Sequence, residues 1–246
     1  RLYALSNLKY DSCIALTSML TWWLTTENSI NQTGNAFTRV DVPKGQRSHL
    51  TLPDGSEAWL SSLSELDIPT GCMKDHRKVK LNGEGYFIVA KDARPFIVET
   101  VKYNVCAHGT TFNVFAYEQS ERFEVNLIEG KVTVELPEQQ GEGISLSPAE
   151  TIYLEHGTLI KAPSEYTSSE YLNEGIYIIE DESLAEVLER LELWYGVRFI
   201  IDKVQTEKII SGKFRQSDRL ETILDAISST GVFSYELLNQ REIKIK

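Results

Sequence analysis

Two Cys–His pairs, Cys72-x3-His76 and Cys106-x-His108, carry the side chains best suited to hold a metal ion. Four such ligands could close a tetrahedral zinc site, but neither pair has the spacing of a structural zinc motif. The residues therefore give no metal and no cofactor. The two cysteines read as small buried residues or, in an oxidising compartment, as a Cys72–Cys106 disulfide. Gly83-Glu84-Gly85-Tyr86-Phe87 has the glycine count of a phosphate loop, but strand-type residues follow it at once, where a phosphate loop needs a helix N-terminus. Neither a Gly-x-Ser-x-Gly elbow nor a His-Glu-x-x-His pair occurs. With 36 Asp and Glu, paired catalytic carboxylates cannot be singled out. Gly109-Thr110, inside His108–Val114, sets a hydroxyl beside a residue free to take positive φ. On residue types alone it reads as a glycine bulge between two strands with Thr110 as a strand residue.

The elements around these residues are short strands. Leu50, Leu52, Ala58 and Leu60 alternate around Pro53-Asp54-Gly55, which predicts a hairpin with one buried face. From Phe37 to Leu159 the chain continues as alternating segments: LTL, EAWL, RKVKL, GYFIVA, FIVET, YNVCA, FNVFAY, EVNLIE, KVTVEL and TIYLE. Turn signals fall at Asn82-Gly83, at 92–95, at Glu129-Gly130 and at 140–143. No helical pattern interrupts them, so 37–162 reads as an all-β domain, sandwich-like or solenoid-like.

Residues 163–175 are polar and Ser/Thr-rich, a linker. The pattern then changes to helical periodicity. Leu184, Val187, Leu188 and Leu191 share one helix face, with Ser183 as N-cap and Gly196 at the C-terminus. The plan repeats: Leu220, Ile223, Leu224 and Ile227 form a second stripe, and Gly231 answers Gly196. Residues 176–246 thus read as two βαβ halves, a small α+β domain whose helices cover one face of one sheet. Asp181, Glu182, Glu186, Glu189 and Glu192 make the first helix acidic, with Arg190 its one cation, and read as a solvated face or, behind a strand edge, as a face that docks a partner.

The net charge of −11 repels phosphate backbones, so nucleic acid is not an expected partner. Residues 1–36 hold an uncharged apolar segment and a polar linker. Residues 13–26 are short for a spanning helix, but Arg1 and Lys9 precede them and Glu27 follows.

Four ordered strings, VPKGQRSHLTLPDGSEAWL, LNGEGYFIVAKDARPFIVET, VCAHGTTFNVFAY and VNLIEGKVTVE, resemble the FecR family of membrane-anchored sigma-factor regulators. The resemblance runs from about Phe37 to Ala149 and implies an irregular, solenoid-like β stack. The repeated helix–strand plan after it is similar to the secretin-and-TonB N-terminal (STN) type of domain at the C-terminus of FecR-like proteins. Such proteins often carry a Trp-Lys pair before that domain, whereas this chain reads Tyr171-Leu172-Asn173-Glu174-Gly175.

The resemblance implies a single-pass inner-membrane protein of a Gram-negative bacterium, anchored through 13–26, with its folded region in the periplasm. It would bind the N-terminal signalling domain of a TonB-dependent outer-membrane transporter. It would hold a sigma factor through a cytoplasmic segment not contained in Arg1–Asp11. In some FecR-like proteins a Gly-Thr bond cleaves itself by N→O acyl shift. The resemblance carries that role to Gly109 and Thr110 in a chain otherwise not an enzyme. The chemistry needs the Thr hydroxyl, a strained peptide and oxyanion donors, with His108 as the available base.

For partner binding, an exposed strand edge can pair with a partner's strand. The edges expected to do so are Lys208-Ile209-Ile210-Ser211-Gly212-Lys213-Phe214 and Glu242-Ile243-Lys244-Ile245, the latter extending to Lys246. Two other classes compete. A carbohydrate-binding β module would expose Trp59, Tyr86, Tyr103, Tyr117 and Tyr153 on one face. A secretin-like pore component would form rings.

Overall fold

The computed structural model describes residues 37–70, 77–136, 143–164, 175–202 and 206–246. The membrane-anchor segment 13–26, Cys72, His76 and most of the 163–175 linker lie outside the described residues. No helix among the described residues is long and apolar enough to cross a membrane.

The first unit is all β, as expected, with no helix among its described residues. Its strands are β1 (Phe37–Asp41), β2 (Ser48–Thr51), β3 (Glu57–Leu60), β4 (Glu65–Pro69), β5 (Arg77–Ile88), β6 (Phe96–Glu99), β7 (Asn104–Ala107), β8 (Thr111–Ala116), β9 (Glu124–Glu129), β10 (Val132–Glu135), β11 (Gly143–Leu146), β12 (Glu150–Glu155) and β13 (Thr158–Pro163). Pro163, expected in the linker, is the last residue of β13. The strands form two layers. One has the order β1-β4-β5-β6-β7-β10-β11 and the other β2-β3-β5-β8-β9-β12-β13. After β5 the chain lays hairpins alternately, β6-β7 and β10-β11 in one layer, β8-β9 and β12-β13 in the other. The cross-section is a sandwich and the winding is that of a coil. Alternating residues of both layers meet in one core that includes Leu60, Leu66, Phe87, Phe96, Phe112, Val125 and Leu127.

β5 belongs to both layers. Its first half pairs with β4 and β6, its second half with β3 and β8. The turn expected at Asn82-Gly83 is therefore not a turn but the corner of one continuous strand. Gly83 has φ 132°, and a Cβ there would lie 2.4 Å from Ser64 Oγ. The glycine is required by close approach of backbone, not by chain reversal. Arg77 at the start of β5 is fully buried. It donates to the carbonyls of Ala90 (2.8 Å) and Arg94 and to Asp54 (3.3 Å), tying three connections together.

The second unit runs β14 (Ile176–Ser183), α1 (Leu184–Tyr195), β15 (Arg198–Ile201), β16 (Ile209–Arg215), α2 (Leu220–Ser229), β17 (Tyr235–Leu237) and β18 (Glu242–Ile245). The stripes expected on the two helices are buried in its core together with Trp194, Phe199 and Ile243. Ser183 caps α1 in a capping box with Glu186, and Gly196 ends it at φ 51°. The element order fits two βαβ halves. The single sheet does not: among the described residues β14 pairs only with β16, antiparallel, while β15, β18 and β17 form a separate sheet in that order. The first strands of the halves pair with each other, and the closing strand β18 bridges the outgoing strands. Helical periodicity carries no information on these non-local pairings.

Candidate functional site

Gly109 and Thr110 lie between β7 and β8. Gly109 has φ 62°, and a Cβ there would come within 2.7 Å of Lys91 Cγ, so glycine is required. Thr110 is 2% exposed and its carbonyl accepts from the Val89 N–H at 2.9 Å. Its hydroxyl has no hydrogen-bond partner among the described residues, and His108 is exposed. The structure brings a hydroxyl and a left-handed glycine together but gives the hydroxyl no proton acceptor.

The two expected docking strands differ. β16 has a strand on one side only among the described residues, which fits an edge. Glu242–Ile245 is not an edge. β18 is the central strand of its sheet, parallel to β15 and antiparallel to β17. Lys246 extends it by exchanging backbone hydrogen bonds with Ser234. A strand hydrogen-bonded on both sides has no ladder left to offer.

The acidic face of α1 is not merely solvated. Glu186 closes the capping box, Glu192 accepts the Phe199 N–H at 2.6 Å, and Glu189 accepts the Ser120 hydroxyl from the first unit. Arg190, the one cation, is the centre of a seam between the units. Its guanidinium donates to Glu84 on β5 at 3.0 Å, with both side chains 5% exposed. It lies 4.2 Å from the Tyr177 ring centroid and 4.9 Å from that of Phe115. Glu84 also accepts from Asn113 at 3.2 Å. Leu193 packs on Phe115 and Tyr117, and Lys44 donates to the Gly196 carbonyl at 2.7 Å.

Beside this pair, Arg122 bonds Glu124 and lies 3.6 Å from Glu182. Burial alone would raise the Glu124 carboxyl, but the charges of Arg122 and Arg190 and the Asn126 amide hold it below the usual carboxylate range. Burial, reinforced by the Glu84 charge, pushes the Tyr117 phenol well up, and its hydroxyl donates to the Ser62 carbonyl at 2.7 Å. Charge separation along the sequence hid this seam: Glu84 and Arg190 are 106 residues apart.

The aromatics of the carbohydrate alternative do not form an open platform. Tyr86 and Tyr117 are buried, Tyr103 packs on Phe123, and the Trp59 face is covered by His49, with ring centroids 4.2 Å apart. Among the described residues no group of three or more His, Cys, Asp or Glu could hold a metal. Cys106 is half-buried on β7, where burial and Glu135 push its thiol up to about 11. The expected partner, Cys72, lies outside the described residues.

The comparisons with known proteins bear on both units. The family model described as FecR protein matches residues 38–133, and that described as FecR, C-terminal matches 176–245. Two crystal structures of a candidate anti-sigma factor from Parabacteroides distasonis ATCC 8503, at 1.65 Å and 2.50 Å resolution, resemble the chain. Each is 28% identical, has a TM-score of 0.76, and covers 85% of this chain and 98% of its own. No curated protein matches.

Proposed function

We propose, for a chain that belongs to the FecR family, the role of a sigma-factor regulator that works by protein contact and not by catalysis. Its second unit receives a signal from the N-terminal signalling domain of a TonB-dependent outer-membrane transporter, as an STN-like domain would. The first unit relays the state towards the inner membrane, where residues 13–26 anchor the chain with its folded region in the periplasm. Regulated proteolysis then frees the sigma factor held by the cytoplasmic segment.

The observation that carries this reading is the succession of both family matches, 38–133 then 176–245, within one fold shared with the anti-sigma factor structures. The seam supports the relay. A buried ion pair and two flanking aromatic rings join the units, so a movement of one would have to break or carry these contacts. The one-sided strand β16 supports the receiver. Purified N-terminal signalling domains of the transporters of the same bacterium, titrated calorimetrically against the chain, should include one that binds saturably. Absence of binding across the whole set overturns the receiver assignment.

Self-cleavage at Gly109–Thr110 would need a group to take the Thr110 proton, and the isolation of that hydroxyl favours an intact chain. Wild type and Thr110→Ala should run as identical full-length bands on a denaturing gel. A shorter wild-type product missing from Thr110→Ala would reverse this.

A further inference from the structure

The seam encloses a small cavity of about 20 Å³. Ser61, Glu84 and Asn113 line it from the first unit, and Trp194 and Gln216 from the second. Trp194 is 4% exposed and Gln216 8%, so both side chains are buried where the units meet. Their surroundings hold them in place. The Gln216 N–H donates to the Gly175 carbonyl at 2.8 Å, and its carbonyl accepts the Tyr195 hydroxyl at 3.4 Å. Trp194 packs edge-on against Tyr177, with ring centroids 5.5 Å apart.

Three polar atoms on these two side chains have no hydrogen-bond partner among the described residues: Trp194 Nε1, Gln216 Nε2 and Gln216 Oε1. A buried polar group left without a partner is costly, so such groups normally meet protein or ordered water. Size and chemistry together select the occupant. About 10–15 Å³ is enough for one water, so this space takes a single molecule of that size and no organic compound. The indole offers only an N–H, which a cation does not accept, and the Gln216 carbonyl oxygen needs a donor, which an anion does not supply. Both are satisfied by a molecule that donates and accepts.

We infer that this cavity is a binding site for one structural water, which accepts from the Trp194 indole, hydrogen-bonds the Gln216 amide and bridges the second unit to the first. Ser61 and Asn113 are the polar residues across the cavity from these two. A bridging water is nearly as good a link as a direct hydrogen bond. The seam therefore joins the units in two ways, through the dry Arg190–Glu84 pair and through a wet contact beside it. The site depends on this buried geometry alone and not on which partner the second unit receives.

A crystal structure of the full chain, sharp enough to show ordered water, tests the site directly. One density peak should lie within hydrogen-bond distance of both Trp194 Nε1 and the Gln216 amide. No peak there, a protein acceptor on the indole nitrogen, or a peak that bromide replaces, which marks a halide, overturns the site. Gln216→Met supplies a second measurement. It keeps the length of the side chain and removes both of its polar atoms. If the amide holds a water, the variant loses that link and its unfolding midpoint falls by roughly 2–4 °C. If the cavity is dry, the same change removes two stranded polar atoms and the midpoint rises. An unchanged or raised midpoint overturns the proposal.

Discussion

Helix α1 buries a guanidinium against the first unit, whereas α2, built on the same four-residue apolar stripe, has Ala226 at the answering position and faces an open groove. The shared stripe is what folding of the second unit demands. Everything else on each helix answers to its neighbour. α1 has long side chains and a neighbour already in place. α2 has short ones at the answering positions, Ala226 and Thr230, both exposed. A duplicated element can thus keep its core face while the rest of its surface diverges, one copy packing on the first unit and the other bordering a groove.

The sharpest way to break this contrast is to remove Arg190. Arg190→Ala takes from buried Glu84 the cation hydrogen-bonded to it, leaving the Arg47 charge nearby, and empties the space between Tyr177 and Phe115. Breaking a buried pair on one side costs about 3–5 kcal/mol, read as a shift of the urea unfolding midpoint. Because the penalty is mostly the stranded carboxylate, adding Glu84→Gln should recover part of it, so the double variant costs less than the sum. Ala226→Arg, which restores the cation on the other helix, should move stability by no more than about 0.5 kcal/mol because the site is exposed. Strict additivity, or equal costs at 190 and 226, would dissolve the distinction between seam and groove.

The helices themselves were legible in the sequence because their signals are local. Leu184, Val187, Leu188 and Leu191 recur at helical spacing, and Ser183 and Gly196 sit where caps must. The strand segments were legible by alternation. Asn82-Gly83 misled because a glycine needed for close packing against Ser64 looks like a glycine needed for a turn. β18 misled because edge or centre is decided by which strands arrive beside it, and β15 comes from 44 residues upstream (Arg198 pairs with Glu242). The acidic α1 face misled for a related reason. Glu189 and Arg190 meet partners on the first unit, and no spacing rule within a helix predicts a contact with Ser120 or Glu84. The one-sided pairing of the β16 strand was legible, and the seam was not.

A smaller effect separates the helices at their N-termini. α1 starts from Ser183, whose hydroxyl accepts the Glu186 N–H while the Glu186 carboxylate accepts the Ser183 N–H. α2 starts from Arg219, which is extended at φ −71° and ψ 137° and makes no side-chain cap. Its cation also sits at the positive end of the helix dipole, and its 3.7 Å contact with Glu221 is exposed and weak. Ser183→Ala should therefore cost about 1 kcal/mol, and Arg219→Ser should gain about 0.5–1 kcal/mol, both read by thermal unfolding. The backbone at 219 already has the geometry a serine cap uses, so the gain requires no rearrangement. If Arg219→Ser destabilises instead, the guanidinium is engaged in folding α2. The second helix would then be tied to its surroundings no less firmly than the first, and the contrast between a closed copy and an open one would fail at its weaker end.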